Sequence, residues 1–265
     1  MLRTRILTSA VGIPIVIGAI WVGTSAVGAL IIVAAGIAGY EISKMSIPRI
    51  GNLNIFVMVI PLVMAIAGLL IGLDRFDWSL LAVVFIAGGM TALTFELMRI
   101  VHGRASYPAI LGAGYIGAML AHGAPLRSLD NSVDWILTAI LITFATDTAA
   151  YFVGTIFGKR RLAPIISPSK TWEGALGGVA AGTAAAVGLT VILDLPIEAQ
   201  EGAIIGVAAS AAAVGGDLVE SGFKRLSGVE NSGSIIPGHG GVLDRIDSLA
   251  PNFAVVYWMA IWLTP

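Results

Sequence analysis

Three carboxylates stand where an apolar chain has little use for them. Asp147, Asp217 and Glu220 lie within or at the ends of long hydrophobic runs, where an ionised side chain costs about 2.5–3.5 kcal/mol on insertion scales. Helical spacing puts Asp217, Glu220 and Ser221 at i, i+3 and i+4, and Asp147 and Tyr151 at i and i+4, so each set shares one face. Such a face either pairs with a neighbouring Lys or Arg inside a helical bundle or points at a site.

The stretch from Ser221 to Asp247 is denser still. Lys224, Arg225 and Arg245 can neutralise phosphate oxygens, while Asp244 and Asp247 are hard oxygen ligands of the kind Mg²⁺ prefers. Between them, Pro237-Gly238-His239-Gly240-Gly241 offers backbone able to approach a polyanion and present N–H groups to it. Of the three histidines, His239 alone sits in such a setting. The plainer alternative is a solvated loop whose glycines make turns and whose charges anchor topology. A second cluster, Ser167 to Gly174, opens a predicted helix, so Lys170, Ser167 and Thr171 could hold phosphate near free backbone N–H groups. Its alternative is a helix N-cap with an interfacial tryptophan.

The elements that must position these residues follow from composition. With 57% hydrophobic and 12% charged residues and a mean hydropathy of +0.92, the chain lies far from a soluble domain. Its apolar runs approach the ~20 residues needed to cross ~30 Å of hydrocarbon. They predict an all-α, polytopic bundle of about nine membrane-spanning helices, near 6–22, 25–40, 54–73, 79–98, 106–122, 135–157, 172–193, 202–220 and 250–264. A cleaved signal peptide is the alternative for the first run, but a second span follows at once and Arg3 and Arg5 serve as cytoplasmic anchors. With the N-terminus inside, 13 of the 15 Lys and Arg residues fall in inner segments, and only Arg75 and Arg127 fall outside. The positive-inside rule therefore places both reactive clusters on the cytoplasmic face of a multi-pass membrane protein. The absence of cysteine excludes disulfides, thiol nucleophiles and cysteine-ligated zinc. No linker or repeat divides the chain, so 1–265 reads as one membrane domain, with 1–130 supplying N-terminal helices and 131–265 the chemistry.

The run Ser221-x-Phe-Lys224-Arg225 … Pro237-Gly-His239-Gly240-Gly241-x-Leu-Asp244-Arg245-Ile-Asp247 resembles the signature of the phosphatidate cytidylyltransferase (CDP-diacylglycerol synthase) family. The resemblance also takes in Asp147, the Ser167 to Gly174 cluster and Gly216-Asp217-Leu218, so it covers mainly residues 140–250. The first five spans match in general character alone. The resemblance implies transfer of a cytidylyl group from CTP to phosphatidic acid, giving CDP-diacylglycerol and pyrophosphate, in a bacterial-type inner membrane. It implies Mg²⁺, with Mn²⁺ or a second cation such as K⁺ compatible, at Asp217 and Asp244, with Asp247 supporting. Lys224, Arg225, Arg245 and Lys170 become phosphate contacts, with His239 in the catalytic loop. Asp147, Ser167, Thr171, Glu173, Ser221, Gly240 and Gly241 fall to the substrate side. A homodimer is a family expectation, and no nucleic-acid partner is expected. The chain departs from the pattern where a Lys-Asp pair is usual and Glu230-Asn231 stands; Glu230 is expected to face solvent. A CTP-dependent enzyme acting on another lipid or polyprenyl phosphate, an ion-coupled transporter and a non-catalytic scaffold are the competing readings.

Overall fold

The structure is a computed structural model that describes residues 2–50, 54–78, 107–238 and 240–264. Among them, ten helices, α1 to α10, and one small sheet follow in order. They are α1 (Leu2–Val22), α2 (Thr24–Ile50), α3 (Asn54–Gly72), α4 (Tyr107–Leu120), α5 (Gly123–Leu126), α6 (Ser132–Phe157), β1 (Arg161–Ala163), β2 (Ser167–Thr171), α7 (Trp172–Ile192), α8 (Ala199–Ser227), α9 (Leu243–Ile246) and α10 (Leu249–Leu263). The all-α expectation holds, with a two-stranded hairpin added.

Among the described residues, seven helical stretches are long and apolar enough to cross a membrane: Thr24–Ser46, Ile55–Gly72, Pro108–Leu126, Ser132–Phe157, Trp172–Ile192, Ala199–Ser227 and Leu243–Leu263. The expected first span is present as the shorter apolar helix Ile6–Val22. The span expected at 79–98 lies outside the described residues, so the count of nine is not reproduced among them. The chain is a multi-pass membrane protein. Its outward apolar side chains agree, since Trp21, Val191, Ile192 and Trp262 are each 71–77% exposed, a surface that water does not tolerate and lipid does.

The residues group into two compact units, Met1–Ser128 with Phe223–Ile246, and Leu129–Gly222 with Asp247–Pro265. In the first, α2 packs against α3, and both pack against α4. Its core is built from small residues such as Ala35, Ala38 and Ala113 around Val57, Met64 and Ile116, because helices in lipid gain most from close backbone approach. The α1–α2 corner is tied down by polar groups: Arg127 Nε donates to the Ile20 carbonyl at 2.8 Å and Thr24 Oγ1 donates to that of Arg127 at 3.0 Å.

In the second unit, α6 packs along α7 and against α10. Polar side chains tie α6 to α8 and α10: Thr146 Oγ1 donates to Ser210 Oγ on α8 at 2.9 Å, and Asn252 Nδ2 on α10 to Thr143 Oγ1 at 2.7 Å. The strands β1 and β2 are antiparallel, with Arg161 opposite Thr171 and Ala163 opposite Ser167. This hairpin occupies the link between α6 and α7, so the Ser167 to Thr171 part of the cluster expected to open a helix is a strand, and the helix begins at Trp172.

Close packing yields a paired prediction. A methyl group on Gly68 would run into the Ala121 backbone, whereas one on Gly188 meets nothing within 4 Å. Gly68→Ala is expected to destabilise the purified protein by about 1–3 kcal/mol, the range for overpacking a filled core, and Gly188→Ala to leave it unchanged. Thermal unfolding of both variants in one detergent checks the contrast.

Candidate active site

The second unit holds an acidic cluster. Asp217 and Glu220 come from α8 and Asp247 from the segment entering α10, and one carboxylate oxygen of each lies within 4.8 Å of the others. The shared helical face expected of Asp217, Glu220 and Ser221 is present, and Ser221 Oγ donates to Asp217 Oδ1 at 3.4 Å. Gly216 makes the convergence feasible: a Cβ there would strike the Asp247 carbonyl and stand 2.8 Å from Pro251 Cγ. Asp247 is oriented by the Ser248 N–H, which donates to its Oδ1 at 2.8 Å.

Lys170 enters this cluster from β2 and forms an ion pair with Asp217 at 2.5 Å. Asp147, on α6, interacts with Asp217, Lys170 and Ser248, so the carboxylates that sequence placed on two faces serve one locality. Three hard-oxygen donors this close repel one another, which favours a cation among them, and carboxylates are the ligands a divalent hard ion takes. The donor set therefore fits Mg²⁺ or Mn²⁺, with Asp217, Glu220 and Asp247 as its holders. Glu220 is the addition; its helical register beside Asp217 was visible in the sequence, but its approach to Asp247 was not.

Ser167, Thr171 and Glu173 build the hairpin and the helix after it. Thr171 is the N-cap of α7, its Oγ1 accepting from the Gly174 N–H at 3.1 Å. The Glu173 carboxylate accepts from the N–H groups of Lys159 and Arg160 at 3.1 and 3.2 Å, fixing the start of the hairpin. Ser167 is buried at the opposite end of β2. These contacts set where Lys170 stands.

The glycine-rich signature belongs to the first unit. The helix α8 runs on to Ser227, so Lys224 and Arg225 occupy its last turn, a position favourable to cations, rather than the loop expected from Ser221. The side chain of Asp244 accepts from Lys224 Nζ at 2.9 Å, from Gly241 N at 2.9 Å and from Ser232 N at 3.2 Å. Ile236 and Gly240 close the turn by a backbone bridge, with Gly238 and Gly240 at φ +79° and +87°, values only glycine adopts at little cost. Arg245 is exposed, and so are Glu230 and Asn231, in line with the solvent-facing expectation. His239 lies outside the described residues.

Sequence reasoning missed Glu41. This α2 residue is 1% exposed, and its carboxylate accepts from Val242 N at 3.0 Å, Leu243 N at 2.8 Å and Ser232 Oγ at 3.1 Å. The available signal was an acidic residue at the very end of an apolar span.

Comparison with known proteins gives a consistent result. A family model described as the cytidylyltransferase family matches residues 3–263. A protein of Pseudomonas aeruginosa named phosphatidate cytidylyltransferase is 32% identical, with all of both chains covered. One of that name from Staphylococcus epidermidis is 33% identical over 79% of this chain and 83% of its own, and one from Bacillus subtilis is 39% identical over 56% of each. The similarity thus reaches well beyond residues 140–250 into the N-terminal helices, where exchange among apolar residues hides it from inspection.

The cap on α7 gives a prediction free of any assumption about activity. Thr171→Ala removes the acceptor for Gly174 N–H and is expected to cost about 1 kcal/mol, the usual loss for an N-cap. Thr171→Ser, which keeps the hydroxyl, is expected to restore most of it. Unfolding midpoints of the two variants decide.

Proposed function

The chain belongs to the cytidylyltransferase family, and we propose that it transfers the cytidylyl group of CTP to phosphatidic acid, releasing pyrophosphate and forming CDP-diacylglycerol. The observation that carries the reading is a relative bearing that activity's name whose sequence corresponds to this one from end to end. The acidic cluster with its lysine, set among membrane-spanning helices, supports it.

A phosphate oxygen of the lipid attacks the α-phosphorus of CTP; the new P–O bond forms as the bond to the β-phosphate oxygen breaks, and its electron pair leaves with pyrophosphate. The lipid phosphate is itself the nucleophile, so no covalent enzyme intermediate is needed. The main obstacle is accumulated negative charge, and the protein's work is to bind, orient and neutralise. Lys170, Lys224, Arg225 and Arg245 are the proposed phosphate contacts, Lys170 being held by its pair with Asp217. Asp147 and Ser221 are proposed on the substrate side, and His239, Gly240 and Gly241 in the loop that approaches the phosphates. Thr171, Glu173 and Ser167 act by fixing the hairpin that carries Lys170. Asp217, Glu220 and Asp247 are the proposed metal holders, and a divalent ion there, when bound, supplies Lewis-acid stabilisation of phosphate charge. Asp244 keeps the metal role implied by the resemblance, as a proposal resting on sequence.

The active face is proposed to be cytoplasmic, in an inner membrane, where CTP is available, on the strength of the charge asymmetry. The enzyme is further proposed to act as a homodimer.

Purified protein in phosphatidate-containing micelles is expected to release pyrophosphate from CTP only when phosphatidate is present. Asp217→Asn should insert normally and lose ~10²-fold or more in turnover, the scale of a major electrostatic contributor. Near-normal turnover of that variant, or release independent of phosphatidate, contradicts the reading. Orientation is checked separately: Ser169 is exposed on β2 and the chain has no cysteine, so Ser169→Cys gives a single label site. It is expected to react with an impermeant maleimide in inside-out vesicles and to be protected in right-side-out ones.

A further inference from the structure

We infer that Glu41 is a positioning residue for the signature loop, a carboxylate built into α2 around which Ser232, Gly233 and residues 241–243 close and which thereby aims Asp244 and Lys224. Its two oxygens are divided between partners: Oε1 accepts from Val242 N, and Oε2 from Leu243 N and Ser232 Oγ. The loop is shaped to that carboxylate. A Cβ on Gly241 would collide with Ser232 Oγ and stand 2.6 Å from Glu41 Oε2, and one on Gly233 would stand 2.6 Å from Oε1. Two of the loop's glycines are thus the residues that let its backbone close around Glu41.

The link to Asp244 is a shared hydroxyl. Ser232 Oγ lies 3.1 Å from Glu41 Oε2 and 3.0 Å from Asp244 Oδ2, and a hydroxyl carries one proton to give. The backbone completes the frame, because the N–H of Gly241 goes to Asp244 while those of Val242 and Leu243, the next two residues, go to Glu41. Consecutive amides are therefore shared between two carboxylates. The position of one carboxylate dictates that of the other, and the Lys224 ammonium, 2.9 Å from Asp244 Oδ1, follows.

Neutralising Glu41 should loosen this frame without emptying the core. Glu41→Gln keeps the side-chain volume but replaces one acceptor oxygen with an amide NH₂ that faces donors. The test has two arms. Hydrogen exchange of the unliganded protein is expected to show the amides of 241–243 exchanging at least tenfold faster in Glu41→Gln, with those of α3 unchanged. Ser232→Ala, which leaves Glu41 and both its backbone partners in place, is expected to shift the same amides in the same direction by less.

The kinetic arm rests on the cytidylyl-transfer reading. Glu41→Gln should lower kcat at least tenfold with KM for phosphatidate changed less than threefold, and on an Asp244→Asn background it should lower kcat less than twofold further, because it acts through Asp244. Unchanged exchange at 241–243, or kinetic losses that multiply, overturns the inference. Were the native protein inactive toward CTP, the transfer reading would fail, and the exchange arm would still decide the role of Glu41.

Discussion

An ionised carboxylate within an apolar helix has to be compensated where it stands, and the described structure answers that constraint in two ways. Glu41 is compensated by backbone. Two N–H groups at 3.0 and 2.8 Å, at about 1.5–3 kcal/mol for each hydrogen bond to a charged group, match the insertion cost of about 2.5–3.5 kcal/mol. Asp217 is compensated by the Lys170 ammonium, in a setting where Glu220 and Asp247 add like charge close by. The first arrangement is closed and organises a loop. The second gathers charge, as a group that handles cations and phosphates requires.

Much else serves these two carboxylates. Gly216 lets α8 approach the Asp247 backbone, and Gly233 and Gly241 let the loop approach Glu41. The hairpin β1–β2, pinned at its open end by Glu173 on the Lys159 and Arg160 amides and by the Thr171 cap, carries Lys170 to Asp217. Few of these residues touch a phosphate in the proposed reaction. They determine where those that do will stand, which is the larger part of catalysis by positioning and electrostatics.

The sequence made legible whatever depended on residue type. Asp147, Asp217 and Glu220 were conspicuous because a bilayer has no use for them, and the Pro237–Gly241 run because its glycines signal close backbone approach. Partners distant in sequence were hidden. Glu41 falls one residue beyond the span expected to end at 40, and its partners lie 191 to 202 positions away, so its place at a span end was the one local signal and its partners were hidden. Lys224 and Arg225 read as loop because charge usually ends a span, yet α8 continues to Ser227, its C-terminal carbonyls well served by cations. Thr171 read as a phosphate ligand because a helix N-terminus favours anions, whereas its Oγ1 accepts from the protein's own Gly174 N–H.

In the proposed reaction the α-phosphate of CTP passes to a lipid phosphate. The most direct measurement follows the isotope: purified protein in phosphatidate vesicles is given CTP labelled at the α-phosphate and, separately, at the γ-phosphate. The α-label is expected to move into the chloroform-extractable lipid while the γ-label stays in water as pyrophosphate. Transfer of the γ-label to lipid, or retention of both labels in the aqueous phase, would contradict the proposed reaction.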